Sequence, residues 1–114
     1  MLVHIVEDDL DIARSLEMLL GARHIHATTT TEAFDTLLDP APWEGVDVAI
    51  IDLLLPGIRG DEIAAYVRHL RPEIRIVMFT AVGEVAEWDR SVADVVLLKP
   101  ASMDEIVEAI RGHW

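Results

Sequence analysis

The sequence contains no cysteine among its 114 residues, so it can form neither a disulfide framework nor a thiolate metal site. It also lacks any apolar run near the ~20 residues that a membrane-spanning helix requires. Its opening residues, MLVHIVEDD, have neither the basic start nor the long apolar core of a secretory signal. These absences exclude a disulfide scaffold and a membrane span, and we expect a cytoplasmic protein.

Basic residues are scarce, since nine Lys and Arg stand against 21 Asp and Glu and give a formal net charge of −12. Such a surface repels nucleic acid and anionic membranes, so we expect no direct binding to either. Proteins or cations are the predicted partners. The length suits one domain, and we expect residues 1–114 to form a single domain without an attached output domain.

Short apolar runs alternate with segments of helical periodicity along the whole chain. This alternation predicts an α/β fold in which helices cover both faces of a parallel sheet. Right-handed crossovers between the strands then give a doubly wound (βα)5 domain. The five predicted strands are LVHIV, the polar IHATT at a sheet edge, the strongly apolar VDVAIID at the centre, IRIVMFT and DVVLLK.

Each predicted helix is recognised by apolar residues that share one face. The last helix has the clearest start, because Ser102 and Glu105 have the spacing of a capping box. The segment 82–92 is expected to form a brief fourth helix. The predicted inner faces of the first two helices are Ile12, Leu16, Leu19 and Leu20, and then Ala33, Phe34, Leu37 and Leu38.

Polar side chains stand at the ends of four predicted strands. In an open α/β sheet, the ligand site lies beyond the carboxyl ends of the strands. We therefore expect several carboxylates, one hydroxyl and one ammonium to converge on one edge of the sheet. The residues concerned are Glu7, Asp8 and Asp9 after the first strand, Asp52 after the third, Thr80 after the fourth and Lys99 after the fifth.

Clustered carboxylates need compensation, because two of them ~4 Å apart repel by about 4 kcal/mol at an effective dielectric constant near 20. Either one carboxylate takes up a proton, or a hard cation binds between them. Oxygen ligands of this kind suit Mg²⁺. A carboxylate beside bound Mg²⁺, with a lysine and a hydroxyl nearby, supports acceptance of a phosphoryl group by an aspartate.

Four segments, IVEDD, IIDLLLPGIRG, MFTA and LLKP, close predicted strands in this order. In this arrangement the chain resembles, over nearly its whole length, the receiver domain of response regulators from bacterial two-component systems, in particular the stand-alone receivers of the chemotaxis-regulator type. The resemblance implies a flavodoxin-like fold whose parallel five-stranded sheet has the order 2-1-3-4-5. It also implies a phosphoprotein of phosphorelay signal transduction that catalyses only its own phosphorylation and dephosphorylation.

The resemblance also implies roles for individual residues. Asp52 would be the phosphoacceptor, taking its phosphoryl group from a phosphohistidine on a sensor histidine kinase or a phosphotransfer protein. Thr80 would be the switch hydroxyl and Lys99 the phosphate contact, joined to Pro100 by a cis peptide bond. The implied Mg²⁺ ligands are Asp8 and Asp52 directly, Glu7 through a coordinated water, and the backbone carbonyl of Leu54.

The part of the chain that commonly signals departs from the family pattern. Val96 replaces the usual aromatic residue three positions before the lysine, and the interval from Thr80 to Lys99 is about three residues shorter than usual. We expect a phosphorylation-dependent interaction with an unidentified protein target. The face formed by the predicted fourth helix, fifth strand and fifth helix is the candidate surface for a homodimer.

Three other functions fit the same topology. The first is a receiver-like adaptor that works without phosphorylation. The second is a flavodoxin-like cofactor binder, but the EDDLD loop after the first strand repels phosphate. The third is a dehalogenase-type phosphatase, whose DxD motif is matched by Asp9 and Asp11 only at a predicted helix start. The five histidines show no metal-binding spacing and are interpreted as structural or exposed.

Overall fold

The structure, a computed structural model, describes residues 1–81 and 88–112 of the chain. The five predicted strands are all present, and helices follow four of them within these residues, while no α-helix is described between the fourth and the fifth. In chain order the elements are β1 Leu2–Val6, α1 Leu10–Ala22, β2 His26–Thr30, α2 Asp35–Leu38, β3 Val48–Asp52, β4 Leu54–Leu55, β5 Ile58–Arg59, α3 Gly60–Leu70, β6 Arg75–Ala81, β7 Val95–Lys99 and α4 Met103–Arg111.

The main sheet has five parallel strands in the order β2-β1-β3-β6-β7. Counted without the two-residue strands β4 and β5, this is the predicted order 2-1-3-4-5. The central strand β3 is buried at all five positions, and the polar strand β2 lies at an edge, both as expected. The sequence did not predict that β4 and β5 form a small antiparallel hairpin between β3 and α3.

Two apolar clusters cover the two faces of the sheet. One joins α3 to the sheet through residues such as Ile51, Ile63 and Met78. The other joins α1 and α4 to the opposite face and includes Leu20 and Ile110. Because both faces are covered, the strand ends at the edges of the sheet are the places where polar groups can meet.

The start of α4 matches its predicted capping box. The Ser102 hydroxyl accepts a hydrogen bond from the Glu105 N–H at 3.1 Å, and the Ser102 N–H donates to the Glu105 carboxylate at 3.1 Å. The prediction for α1 was partly wrong. Ala13, Leu16 and Leu20 form its buried stripe, so Ile12 and Leu19 fall beside the stripe and are exposed.

The prediction for the second helix was wrong in its extent and its inner face. The helix α2 has a single turn. Leu38 within it and Phe34 just before it are exposed, while Thr36 is buried and donates its hydroxyl hydrogen to the Ala33 carbonyl. Asp39 ends the helix in an extended conformation because it precedes a proline. Of the predicted helix over 82–92, residues 82–87 lie outside the described residues, and Arg90–Val92 form a 3-10 turn.

His4 is buried in β1, where only 2% of it is exposed. Its ring nitrogens lie 2.6 Å from the Thr28 hydroxyl and 2.8 Å from the Thr30 hydroxyl. The Trp43 ring meets the imidazole edge-on with 4.8 Å between centroids. Burial lowers the pKa of His4 to about 4, although the Glu17 carboxylate acts in the opposite direction. His4 is thus a structural residue, as the sequence interpretation held.

We expect acid to destabilise the fold through His4. In the unfolded chain its pKa is about 6.5, so the unfolded state binds the proton more tightly than the folded state. The contribution of neutral His4 to the free energy of unfolding is intact above pH 6.5 and falls by about 3 kcal/mol as the pH drops to about 4. Glutamine does not titrate, so between these pH values the free energy of unfolding of His4→Gln should fall by about 3 kcal/mol less than that of the unaltered chain. Urea unfolding at several pH values measures this difference. Equal losses in both proteins would contradict the expectation.

Candidate functional site

The register of the sheet brings four strand ends to one edge. Parallel pairing aligns Val6 with Ile51 across β1 and β3, and Asp52 with Phe79 across β3 and β6. It also aligns Ala81 of β6 with the end of β7. The polar residues at or just beyond these positions therefore share the space above the carboxyl ends of the strands.

Three carboxylates meet in this space. One carboxylate oxygen each from Glu7, Asp8 and Asp52 lies within 4.8 Å of the others. Glu7 and Asp52 are only 3% and 6% exposed, whereas Asp8 is exposed at the rim. We call this cluster the carboxylate pocket; Glu7 and Asp52 form its buried side, and Asp8 forms the side that faces solvent. The three atoms that could bind a metal are all carboxylate oxygens, the ligands that a hard cation such as Mg²⁺ prefers.

Lys99 reaches the same pocket from the end of β7. Its ammonium lies 3.2 Å from Asp52 Oδ2 and 3.8 Å from Glu7 Oε2. The ammonium also lies 5.2 Å from the centre of the Phe79 ring. A single positive charge therefore faces two buried negative charges, and it offsets only part of their repulsion.

The pKa of Glu7 rises to about 7 in this buried, negatively charged environment. Burial is the largest cause, the negative charge of Asp52 adds to it, and the positive charge of Lys99 opposes it. Near neutral pH, Glu7 thus carries a proton in a large fraction of molecules. A divalent cation in the pocket would favour the ionised form and displace this proton.

The loop after β3 holds the side chain of Asp52. The Leu54 N–H donates a hydrogen bond to Asp52 Oδ1 at 3.3 Å, so the two carboxylate oxygens of Asp52 face different partners. The hairpin of β4 and β5 continues directly from this loop. It returns the chain to Gly60, whose N–H donates to the Leu53 carbonyl at 2.8 Å.

Gly60 is a part of the site that the sequence interpretation missed. A Cβ atom at this position would lie 2.0 Å from the backbone oxygen of Asp52 and 2.8 Å from Leu53 Cα. Only glycine allows α3 to begin this close to the end of β3. The signal was available, since Gly60 ends the quoted IIDLLLPGIRG segment, but the contact that requires it cannot be read from the sequence.

The other predicted site residues lie at the same edge. Thr80 is buried near the end of β6, and its hydroxyl donates to the Ala81 carbonyl at 3.5 Å. The peptide bond from Lys99 to Pro100 is cis, as predicted. Asp9 caps α1 by accepting hydrogen bonds from the first N–H groups of that helix. The structure thus gathers Glu7, Asp8, Asp52 and Lys99 into one pocket and leaves the Asp9 side chain outside it, although the Asp9 N–H donates to Glu7 Oε1 at 3.2 Å.

Within residues 1–81 and 88–112, no helix has both the length and the apolar character to cross a membrane.

Comparison with curated proteins finds relatives over almost the whole chain. The sensory transduction protein RegX3 of Mycobacterium tuberculosis is 32% identical over 115 residues, which cover 96% of this chain and 49% of RegX3. The response regulator ArlR of Staphylococcus aureus is 34% identical over 112 residues, which cover 95% of this chain and 50% of ArlR. The chain therefore spans about half the length of the curated relatives it matches.

Solved structures share the fold. The response regulator TrrA of Thermotoga maritima, solved in complex with Mg²⁺ and BeF, superposes with a TM-score of 0.85 at 23% identity, covering 99% of this chain and 98% of TrrA. A CheY-like receiver domain protein from Methanospirillum hungatei gives a TM-score of 0.82 at 26% identity, covering 98% and 91% of the two chains. The fold is therefore the flavodoxin-like fold of receiver domains.

The family model for the response regulator receiver domain matches residues 3–111. That range contains the five strands of the main sheet, apart from the first residue of β1, and the whole carboxylate pocket. Two relatives above 30% identity agree with the match. The chain belongs to the response regulator receiver domain family, a family of regulatory domains.

Proposed function

We propose that the chain accepts a phosphoryl group onto Asp52 in a reaction that depends on Mg²⁺. The donor would be a phosphohistidine on a sensor histidine kinase or a phosphotransfer protein. One observation carries the proposal: the pocket places Asp52 within 4.8 Å of two further carboxylates and 3.2 Å from the Lys99 ammonium. This arrangement suits a nucleophilic oxygen that must meet a highly charged phosphoryl group.

The pocket residues suit Mg²⁺. Asp8 and Asp52 would bind the ion directly, Glu7 through a water, and Leu54 through its backbone carbonyl. Because Asp8 is exposed to solvent, an ion bound there would keep on that side the water molecules that Mg²⁺ usually retains. When bound, the ion neutralises negative charge on the phosphoryl oxygens and on the carboxylate that attacks.

The side chains of the pocket, and Thr80 at the same edge of the sheet, have distinct tasks in the transfer. A carboxylate oxygen of Asp52 forms the new bond to phosphorus while the bond from phosphorus to the donor histidine nitrogen breaks. The electron pair of the broken bond stays on that nitrogen. Lys99, already paired with Asp52, supplies positive charge to the incoming phosphoryl oxygens, and the Thr80 hydroxyl donates a hydrogen bond to them.

The phosphorylated chain would then act on a protein partner in the cytoplasm. The surface around β7 is the candidate for this contact and for a homodimer. It carries Val96, which is partly buried, in place of the family's usual aromatic residue. Because a valine cannot perform the large ring movement of an aromatic side chain, we expect only a modest rearrangement on phosphorylation.

Incubation with acetyl phosphate and Mg²⁺, followed by measurement of the intact mass, tests the proposal. The chain should gain the mass of one phosphoryl group, and omission of Mg²⁺ should abolish the gain. An unmodified mass with Mg²⁺ present would refute phosphoryl transfer to this chain. That result would favour the alternative of an adaptor that binds its partner without phosphorylation.

A further inference from the structure

Phe34 is a half-exposed aromatic residue that lies against the hairpin of the pocket. Although 53% of Phe34 is exposed, its ring lies directly over Gly57. A Cβ atom built on Gly57 would be 2.6 Å from Phe34 Cε2 and 3.3 Å from Cζ. The ring therefore occupies the space that the missing side chain of Gly57 leaves open.

The base of Phe34 is fixed to the core. Phe34 stands immediately before α2, and its neighbours Ala33 and Thr36 are buried. The Thr36 hydroxyl donates a hydrogen bond to the Ala33 carbonyl at 2.6 Å, which closes the turn around Phe34. The backbone below the ring is thus held in place, so the ring can act as a rigid contact.

Gly57 is the turn residue of the hairpin that follows Asp52. It has a φ of +80°, and the turn connects the pair Leu55 and Ile58. In the first strand of the hairpin, the Leu54 N–H donates a hydrogen bond to Asp52 Oδ1. A contact that fixes the turn therefore also restricts the position of the Leu54 backbone beside the carboxylate of Asp52.

We infer that Phe34 is a positioning residue, whose ring braces the turn at Gly57 and thereby holds the Leu54 backbone against Asp52. The inference rests on the proposed function, because Leu54 matters to the chemistry only if its backbone helps to bind Mg²⁺. Two segments far apart in the sequence, the residue before α2 and the hairpin, then act together on one pocket. Loss of the ring leaves the carboxylates in place and loosens the loop that completes the site.

Titration with Mg²⁺ tests the inference. Lys99 is the only lysine in the sequence, so labelling with ¹³C-lysine gives NMR signals from this residue alone. Because Lys99 lies in the pocket, these signals report on Mg²⁺ binding there. Phe34→Ala should raise the Mg²⁺ dissociation constant by about fivefold. Phe34→Tyr, which keeps the ring, should retain the affinity of the unaltered chain. Urea unfolding of the same samples checks that each variant is folded.

Leu38→Ala is the matched control, because Leu38 lies one turn further along α2 and is 79% exposed. Its Mg²⁺ affinity should equal that of the unaltered chain. If the unaltered chain binds no Mg²⁺, the proposed function fails. If the unaltered chain binds Mg²⁺ and Phe34→Ala binds it equally well, only the role of Phe34 fails.

Gly57→Ala provides an independent test of the contact. The new methyl group strains the backbone at positive φ in any background, but it meets the ring only when Phe34 is present. Gly57→Ala should therefore weaken Mg²⁺ binding more in the unaltered chain than in the Phe34→Ala background. Equal effects in the two backgrounds would show that the ring and the turn are not coupled, and would overturn the inference.

Discussion

Asp52→Asn should gain no phosphoryl group from acetyl phosphate and Mg²⁺, whereas the unaltered chain should gain one. The amide keeps the shape of the side chain and can still accept the hydrogen bond from the Leu54 N–H. It loses the negative charge that makes the oxygen a nucleophile, that pairs with Lys99 and that would bind Mg²⁺ directly. We therefore expect complete loss in the intact mass spectrum rather than a slower reaction.

Asp9→Asn is the control for this prediction. Asp9 lies two residues from Glu7 in the sequence but caps α1, and asparagine caps a helix about as well as aspartate. This variant should become phosphorylated like the unaltered chain. Phosphorylation of Asp52→Asn to the same extent as the control would mean that another residue accepts the phosphoryl group.

The same substitution should change Glu7. The negative charge of Asp52 is one cause of the raised pKa of Glu7, and the uncharged amide removes it. The pKa of Glu7 in Asp52→Asn should therefore lie below 7, although burial still holds it above its usual value. Titration of the Glu7 carboxyl carbon by NMR measures this shift, and an unchanged pKa would contradict the electrostatic description of the pocket.

Gly60→Ala should destabilise the fold by about 3 kcal/mol. The new Cβ would lie 2.0 Å from the Asp52 carbonyl oxygen and 2.8 Å from the Asp52 carbonyl carbon. These are backbone atoms of the central strand, so no side chain can rotate to relieve the clash. The start of α3 must move away from β3, which would also disturb the hydrogen bond between Gly60 and Leu53.

Gly21→Ala is the matched substitution for this comparison. Gly21 belongs to α1, and among the described residues no atom other than those of its chain neighbours and the adjacent backbone of its own helix lies within 4 Å of a Cβ built there. Alanine has a higher helix propensity than glycine, so the free energy of unfolding of this variant should be about 1 kcal/mol higher than that of the unaltered chain. Urea unfolding of the two variants should thus give opposite signs. A Gly60→Ala protein as stable as the unaltered chain would show that β3 and α3 are further apart than the structure has them.

The positions of the main strands and the composition of the pocket could be predicted from the sequence for one physical reason, whereas the strand order followed from the family resemblance. Parallel strands covered on both faces must be apolar along their length, so a charged residue at the end of such a run stands out. Glu7, Asp52 and Lys99 all stand at such ends, and the topology brings those ends together. The capping box of α4 could be predicted as well, because its two residues, Ser102 and Glu105, lie close together in the sequence.

The parts that could not be predicted depend on contacts between distant segments. Ile12 and Leu19 satisfy a helical pattern, but the packing of α1 on the sheet places them beside the buried stripe. Gly60 and the pair of Phe34 and Gly57 are recognised only when the spacing between backbones is known. A single glycine or an isolated aromatic residue has no periodicity that could reveal such a contact.

A Mg²⁺ titration of the full chain near pH 7 tests most directly whether the carboxylate pocket is a cation site. The single Lys99 signal and the titration of Glu7 would be followed by NMR. We predict saturable binding of one ion that shifts the Lys99 signal and lowers the pKa of Glu7 from about 7. A Lys99 signal and a Glu7 titration that stay unchanged in excess Mg²⁺ would contradict it.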